Sequence, residues 1–358
     1  MLMRPSLPDA APAILLSLAL GSLALGALSC SVPGPQSLQP ESGEPQVRVD
    51  LTVVPPPLAL EGTAFEAAGE VELPAVAPAN YEGLRNVYRL SDNIVSGAEP
   101  ADEEALTQLA AWGIKTVISV DGKAPDVESA AALGLRYVHI PLRYKGIDQD
   151  QIFRISKSFR ELEGPFYVHC YHGRHRGPAA AAIGRVALDG LERTRAIAEM
   201  RQWSTTAAKY EGLYSSVATA TIPDGDETLA YEFDFAGAKT FGGVREAMVV
   251  MTRTFDDVKL VRKAGWVASA EHPDLDPLQA VIQLDQLFRA CEGLPLLRGT
   301  ADEDYAEMMA AGLEGSSALV ESLTNCRADD PLPMEQLETA YGVVSASCTN
   351  CHVVYRNR

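Results

Sequence analysis

Two short stretches of this 358-residue chain gather side chains that do chemistry. Towards the C-terminus it reads Cys348-Thr349-Asn350-Cys351-His352. Two thiols three positions apart can each add to a vinyl group of a porphyrin. The adjacent imidazole then reaches the iron as proximal ligand, which is the attachment pattern of c-type haem. One covalent haem, with His352 as its iron ligand, and a location outside the cytoplasm are the expectations. A zinc site needs two more ligands, and the remaining Cys and His residues show no second close pair. A thioredoxin-type pair sits early in a βαβ pattern rather than near a chain end.

The second stretch is His169-Cys170-Tyr171-His172-Gly173-Arg174-His175-Arg176, of the form HCxxGxxR. It lies between a buried-strand pattern over 166–169 and an Ala-rich helical run from about Arg176. A loop of backbone N–H groups at a helix N-terminus binds an oxyanion. Tyr171, His172, Gly173, Arg174, His175 and Arg176 are therefore the expected phosphate-binding residues. The same field favours a thiolate at Cys170. Arg176 can close the ring and hold two phosphate oxygens bidentately, and Gly173 lets the loop turn without a Cβ clash. The reaction implied is two-step phosphoryl transfer: Cys170 attacks phosphorus, and water hydrolyses the thiophosphoryl intermediate. His169 is read as orienting the loop rather than as a base, and His172 and His175 as rim residues. Arg143, Lys145, Arg174 and Arg176 form a basic cluster in an acidic chain.

This arrangement resembles the cysteine-dependent protein tyrosine and dual-specificity phosphatases. Ser119-Val120-Asp121-Gly122, the 137–141 stretch and the His175-Arg176-Gly177-Pro178 ending resemble their small atypical bacterial, plant and fungal branch, over about residues 84–220. The resemblance implies an Asp general acid on the loop before the helix that precedes the Cys strand. That loop reads Arg143-Tyr144-Lys145-Gly146-Ile147-Asp148-Gln149-Asp150. Asp148 is the expected acid, with Asp150 beside it and Asp121 as a further alternative. Asp148 and Asp150 equally suit the N-cap and first turn of the following helix. The resemblance also implies Ser or Thr directly after the arginine, whose hydroxyl supports the leaving thiolate; this chain has Gly177 there. A phosphate cradle that binds without turnover is the competing reading.

At the other end of the chain, Arg4, an apolar run over 11–28 and Ser29-Cys30 read as an export signal. Ala27-Leu28-Ser29-Cys30 resembles a bacterial lipobox, with Ala27 in place of the usual Leu, Val or Ile. The resemblance implies that Cys30 is lipidated and anchors the protein to a membrane on the periplasmic side. An ordinary cleaved signal or an uncleaved anchor is the alternative, and each puts the rest of the chain outside the cytoplasm. The net charge of −18 argues against a nucleic-acid binder, because no broad basic surface is left to neutralise phosphates. Cys291 and Cys326 are either a disulfide pair or two separate thiols.

The elements that must hold these residues follow from periodicity. Residues 31–83, rich in Pro, Glu and small residues, predict an extended linker that does not fold by itself. From Asn86 short strands alternate with helices, which means an α/β domain over 84–224. Beyond Asp224 four helical runs with short connections predict an all-α four-helix bundle over 225–358. Cys348 to Arg356 resembles the C-terminal helix of cytochrome c prime, with its CxxCHxxYR or CxxCHxxFR signature, over about 240–358. The resemblance implies haem c inside that bundle, with Met248, Met251 or an apolar residue on the distal side, and a possible homodimer. Arg356 falls on the His352 face of the helix, either beside the imidazole or simply at the negative end of the helix dipole.

Two functions are thus in view. One is an exported, lipid-anchored cysteine phosphatase whose haem domain carries electrons or senses a gas or redox state. The other is a haem c protein for electron transfer or gas binding, whose α/β domain only binds phosphorylated ligands.

Overall fold

A computed structural model of the chain describes residues 53–292, 294, 303–326 and 331–355. The export signal, Cys30, the first part of the Pro-rich stretch and Arg356 lie outside the described residues. In chain order the elements are α1 (Ala64–Ala67), β1 (Ala79–Tyr81), β2 (Leu84–Arg89), β3 (Ile94–Ala98), α2 (Glu103–Ala111), β4 (Thr116–Ser119), α3 (Val127–Ala132), β5 (Arg136–His139), α4 (Gln149–Glu161) and β6 (Phe166–Cys170). Then follow α5 (Arg176–Asp189), α6 (Arg193–Gln202), α7 (Glu211–Thr219), α8 (Gly225–Ala230), α9 (Val244–Lys263), α10 (Pro277–Cys291), α11 (Glu303–Thr324) and α12 (Met334–Tyr355).

The strands form a mixed sheet in the order β1-β2-β3-β6-β4-β5. The four strands from β3 to β5 are parallel, and β1 and β2 add an antiparallel edge. Every residue of β3, β4 and β6 is buried, as unbroken apolar runs require of strands covered on both faces. Helix α4 begins at a capping box made by Asp148 and Gln151 and turns Ile152, Ile155 and Phe159 to the core. Helix α5 is central: Ala179, Ala180 and Ala181 are fully buried, and a Cβ at Gly184 would overlap the Phe159 ring. Small residues thus let α5 lie close to α4. The register sets Cys170 opposite Ala98, and His169 opposite Gly97 and Ser119. The loop after β6 therefore emerges at the carboxyl ends of the parallel strands, where open α/β sheets bind ligands.

Two boundaries differ from the sequence reading. The linker expected over 31–83 is packed from residue 53 onward. Leu58 N donates to Ala218 O at 2.8 Å, and the buried Arg193 donates to Pro55 O at 2.9 Å, Val217 O at 2.7 Å and Ala220 O at 2.9 Å. The stretch has too few large apolar residues for a core of its own, but Ala64, Ala68 and Leu73 bury themselves on surface the α/β layers supply. The expected break at residue 224 also moves. Lys157 and Arg160 of α4 bond to Thr228 O and Pro223 O, at 3.0 and 2.5 Å. Phe233 and Phe235 pack on the α/β core. Beyond β5, His139 N donates to Ala236 O at 2.9 Å, and Lys239 N donates to His139 Nδ1 at 3.0 Å. Residues 225–239 therefore belong with the α/β layers.

Helices α9 to α12 share a separate core. Met251, Phe255 and Val258 meet Leu284 and Phe288, Met309 and Leu319, and Leu337, Val344 and Cys351. The described residues of both parts form one unit. Among them no helix is long and apolar enough to cross a membrane.

Candidate active site

Strand β6 delivers Cys170, 2% exposed, to the base of the loop that leads into α5. The loop turns at Gly173, whose φ is +68° and whose missing Cβ would overlap the Gly97 and Ala98 backbone. Only glycine meets both conditions without strain. Donors from outside the loop engage its carbonyl groups. Glu99 N donates to Tyr171 O at 3.3 Å, Asn86 Nδ2 to His172 O at 2.8 Å, and Thr206 Oγ1 to Arg174 O at 2.6 Å. Acceptors that would repel an anion are thus turned to other partners. Helix α5 starts with no side-chain cap, which leaves its positive end to a ligand. A Cβ added at Gly177, in its first turn, would lie 3.5 Å from Cys170 Sγ.

Arg176 is 7% exposed. Its Nη2 donates to Asp121 Oδ2 at 2.6 Å, and its guanidinium carbon stands 4.5 Å from the Tyr144 ring centroid. Its Nε–H is buried and has no partner among the described residues. A buried guanidinium N–H without an acceptor, beside a cysteine and a helix start, suits an anion that supplies the missing oxygen.

Asp121 is fully buried. Burial pushes its carboxyl upward, but the Arg176 charge and several N–H donors prevail and hold it well below the usual carboxylate range. It stays ionised, so its place here is to orient Arg176 and not to give a proton. His139 fixes it from behind. Because Nδ1 of His139 accepts from Lys239 N, Nε2 carries the proton and donates to Asp121 O at 2.9 Å. His169 bonds through Nε2 to the Tyr137 hydroxyl at 3.0 Å, and burial pushes it down to about 3. It is neutral, and its contact is one that orients β6.

Asp148 is exposed, and its carboxylate accepts from Gln151 N at 2.9 Å as the N-cap of α4. Asp150 pairs with Arg154 at 2.7 Å and accepts from the Tyr231 hydroxyl. The structure thus engages both carboxylates at the start of α4. Sequence reasoning missed the residues that face the loop from elsewhere. The Tyr144 and Tyr210 rings lie 4.9 Å apart, and His175 lies 4.5 Å from Tyr210. Burial pushes His175 down to about 4, with the Asp274 charge opposing. The Tyr210 hydroxyl donates to Asp274, which Lys209 also pairs at 3.2 Å. Burial pushes the Asp257 carboxyl of α9 up to about 6, against the pull of the nearby Arg176 charge. No spacing could have revealed Asp257 and Asp274, because they come from a part of the chain that reads as separate helices.

The thiols of Cys348 and Cys351 sit on α12. Cys351 is buried in the helical core and Cys348 packs half-buried against it, while His352 is exposed. Burial pushes both thiols upward. Tyr305, whose ring meets Tyr355 at 5.6 Å, buries a hydroxyl with no partner among the described residues. Met251 is buried in the same core, and Met248 packs against it. Cys291 is a buried free thiol, and Cys326 is partly buried.

No family model matches this chain. Two curated relatives, both the dual specificity protein phosphatase TpbA from strains of Pseudomonas aeruginosa, are similar to part of it. One is 28% identical over 119 residues, 33% of this chain and 54% of its own; the other is 27% identical over 118 residues, 32% and 53%. This chain spans about half the length of these curated relatives. The crystal structure of P. aeruginosa TpbA is 25% identical and covers 44% of this chain and 96% of its own, with a TM-score of 0.36. A cysteine-to-serine form of TpbA in complex with pTyr is 24% identical and covers 45% and 98%, with a TM-score of 0.37. Roughly a third of this chain is therefore a phosphatase-like domain related to dual specificity phosphatases.

Proposed function

We propose that this chain is an exported, lipid-anchored haem c protein whose α/β layers hydrolyse phosphate monoesters through Cys170. The observation that carries the enzymatic part is the buried Nε–H of Arg176, without a partner among the described residues, beside Cys170 at the uncapped start of α5. Cys170 Sγ attacks phosphorus, forming the P–S bond as the P–O bond to the leaving group breaks, and the leaving oxygen takes a proton from an acid. Water then adds to phosphorus, the P–S bond breaks, and phosphate and thiolate are released. Arg176 and loop amides other than those of Tyr171 and Gly173, which donate to Asp121 Oδ2 and Cys170 O, balance the charge on the equatorial oxygens. Two carboxyls compete as the acid. Asp148 has its carboxylate on Gln151 N, whereas Asp257, held up to about 6, carries a proton under mildly acidic conditions. The names of the curated relatives support a phosphorylated protein as substrate, and a small phosphate monoester is the alternative that rests on the loop sequence.

The helical part is read as a cytochrome c prime-like four-helix bundle with one haem. The donor set suits it: Cys348 and Cys351 share one helix face, His352 is exposed next to them, and the buried Tyr305 hydroxyl has no acceptor among the described residues, a place a haem carboxylate could take. Cys348 and Cys351 would hold the group by thioethers, and His352 would take the proximal side of the iron. Bound haem supplies an iron that carries an electron or binds a small gas. Export, the anchor at Cys30, a redox partner and a homodimer rest on the sequence. Gly177 favours a second reading, in which the cradle binds phosphate and turns over slowly or not at all.

The test uses holo-protein kept reduced and follows p-nitrophenyl phosphate and phosphopeptide hydrolysis. Cys170→Ser should fall to background. Asp257→Asn should lower kcat and remove a decline in kcat as pH rises through about 6, with Asp148→Asn close to wild type. The reverse ranking assigns the acid to Asp148. Vanadate binding without turnover in wild type would make the domain a cradle. A denaturing gel stained for haem should lose its signal in the Cys348→Ala, Cys351→Ala double variant.

A further inference from the structure

Asp121 is a buried carboxylate that faces donors from two distant parts of the chain. Its Oδ2 accepts from Arg176 Nη2 at 2.6 Å and from Tyr171 N at 3.0 Å. Its Oδ1 accepts from Lys123 N at 3.1 Å, Gln279 Nε2 at 2.8 Å and Gln283 Nε2 at 3.1 Å. The two glutamines lie one turn apart on the same face of α10, and Gln279 is itself 6% exposed. Helix α10 is held there by further contacts. Ala124 N donates to Gln286 Oε1 at 2.8 Å, and Gln286 Nε2 donates back to Ala124 O at 3.5 Å.

We propose that Gln279 and Gln283 are positioning residues that set Arg176 for phosphate by anchoring Asp121, so that the phosphate site is complete only with α10 docked. This rests on the phosphatase or cradle reading above. A carboxylate taken out of water must have its lone pairs satisfied. The α10 amides satisfy Oδ1, which leaves Oδ2 to orient Arg176 and the Tyr171 amide. Arg176 then keeps its face on Tyr144 and its Nε–H without an acceptor among the described residues. Without the two amides, Oδ1 retains only Lys123 N among these donors. The carboxylate then rotates towards solvent or draws the guanidinium further onto itself, and each outcome withdraws Arg176 from the anion. A role confined to docking α10 would lower stability and leave phosphate binding and kinetics unchanged.

The test uses the full chain and two probes, vanadate affinity and p-nitrophenyl phosphate kinetics, each across pH. The Gln279→Met, Gln283→Met double variant keeps side-chain length and removes both donors. It should weaken vanadate binding and lower kcat/KM by about tenfold, the cost of an unsatisfied buried acceptor. Gln279→Glu supplies a titration signature. Its carboxyl, while protonated, donates to Asp121 Oδ1 and should keep near-wild-type affinity. Once ionised it repels Asp121, so affinity should fall as pH rises, while Gln279→Met stays flat relative to wild type. Should the double variant fail to fold, the Gln279→Glu profile decides. Wild-type affinity and pH profile in every folded variant, with only the melting temperature changed, overturns the proposal. Vanadate binding without turnover in wild type sinks the phosphatase reading alone, since the affinity arm still reads the role of Gln279. A wild type that binds no vanadate overturns both.

Discussion

At the scale of single residues, the proposed phosphatase reading turns on Gly177. It stands where a hydroxyl would meet the leaving thiolate, and a Cβ there would lie 3.5 Å from Cys170 Sγ and 3.2 Å from Cys170 N. The second contact is tight but needs the backbone to yield only slightly. Gly177→Ser should therefore place a donor on sulfur and speed breakdown of the thiophosphoryl intermediate. Rapid-quench kinetics should show a burst in wild type that shrinks in the variant; an unchanged burst would mean that dephosphorylation is not limited by the leaving thiolate. Gly173→Ala should do the opposite. A side chain at φ +68° that also overlaps β3 should cost more than about 1 kcal/mol in denaturant unfolding and weaken vanadate binding. At this scale the sequence is informative only where chemistry is local. Cys170, Gly173 and Arg176 are legible because one short ring must close. Tyr144, Asp257 and Gln279 join that ring through tertiary contacts, and their spacing carries no trace of it, while Asp121, which the sequence offers as an alternative acid, orients Arg176 instead.

Elements were legible in proportion to their own periodicity. The runs behind β3 to β6 and α9 to α12 carry apolar patterns that fix their type without reference to neighbours. Strand β1, helix α1 and helix α8 are too short for that, and each exists because a formed surface receives it. The Pro-rich stretch misleads for the same reason: composition reports that it cannot fold alone, not that it stays extended. Arg193 is the peg that holds it. Its three carbonyl acceptors come from Pro55, Val217 and Ala220. Arg193→Met should leave them unpaired at a cost of about 3 kcal/mol or more. A denaturant midpoint close to wild type would show instead that water replaces the guanidinium. Protease cutting near residue 55 should rise in the same variant.

At the scale of the molecule, the helical part and the α/β layers share one electrostatic site, with Asp257 as its most informative group. Burial holds its carboxyl above the ordinary value of 3.8, up to about 6. Between those values the folded protein binds more protons than the unfolded chain, so this group makes stability fall as pH rises from about 4 to about 6. Asp257→Asn should accordingly raise the melting temperature at pH 7 and leave it nearly unchanged well below the ordinary value of 3.8, where the wild-type carboxyl is protonated in both states. A melting temperature lowered at pH 7 would mean that the ionised carboxylate is instead favoured by Arg176.

The segment that leaves the α/β layers has a consequence of a different kind. By accepting from His139 N and donating to His139 Nδ1, residues 236–239 lie along β5, the last parallel strand of the sheet. An uncovered parallel edge offers a ready template for another copy of the same strand. The chain therefore carries its own guard against aggregation in the connection between its two parts. A fragment ending at residue 224 would lose that guard and self-associate in light scattering, whereas one ending at residue 241 would stay monodisperse.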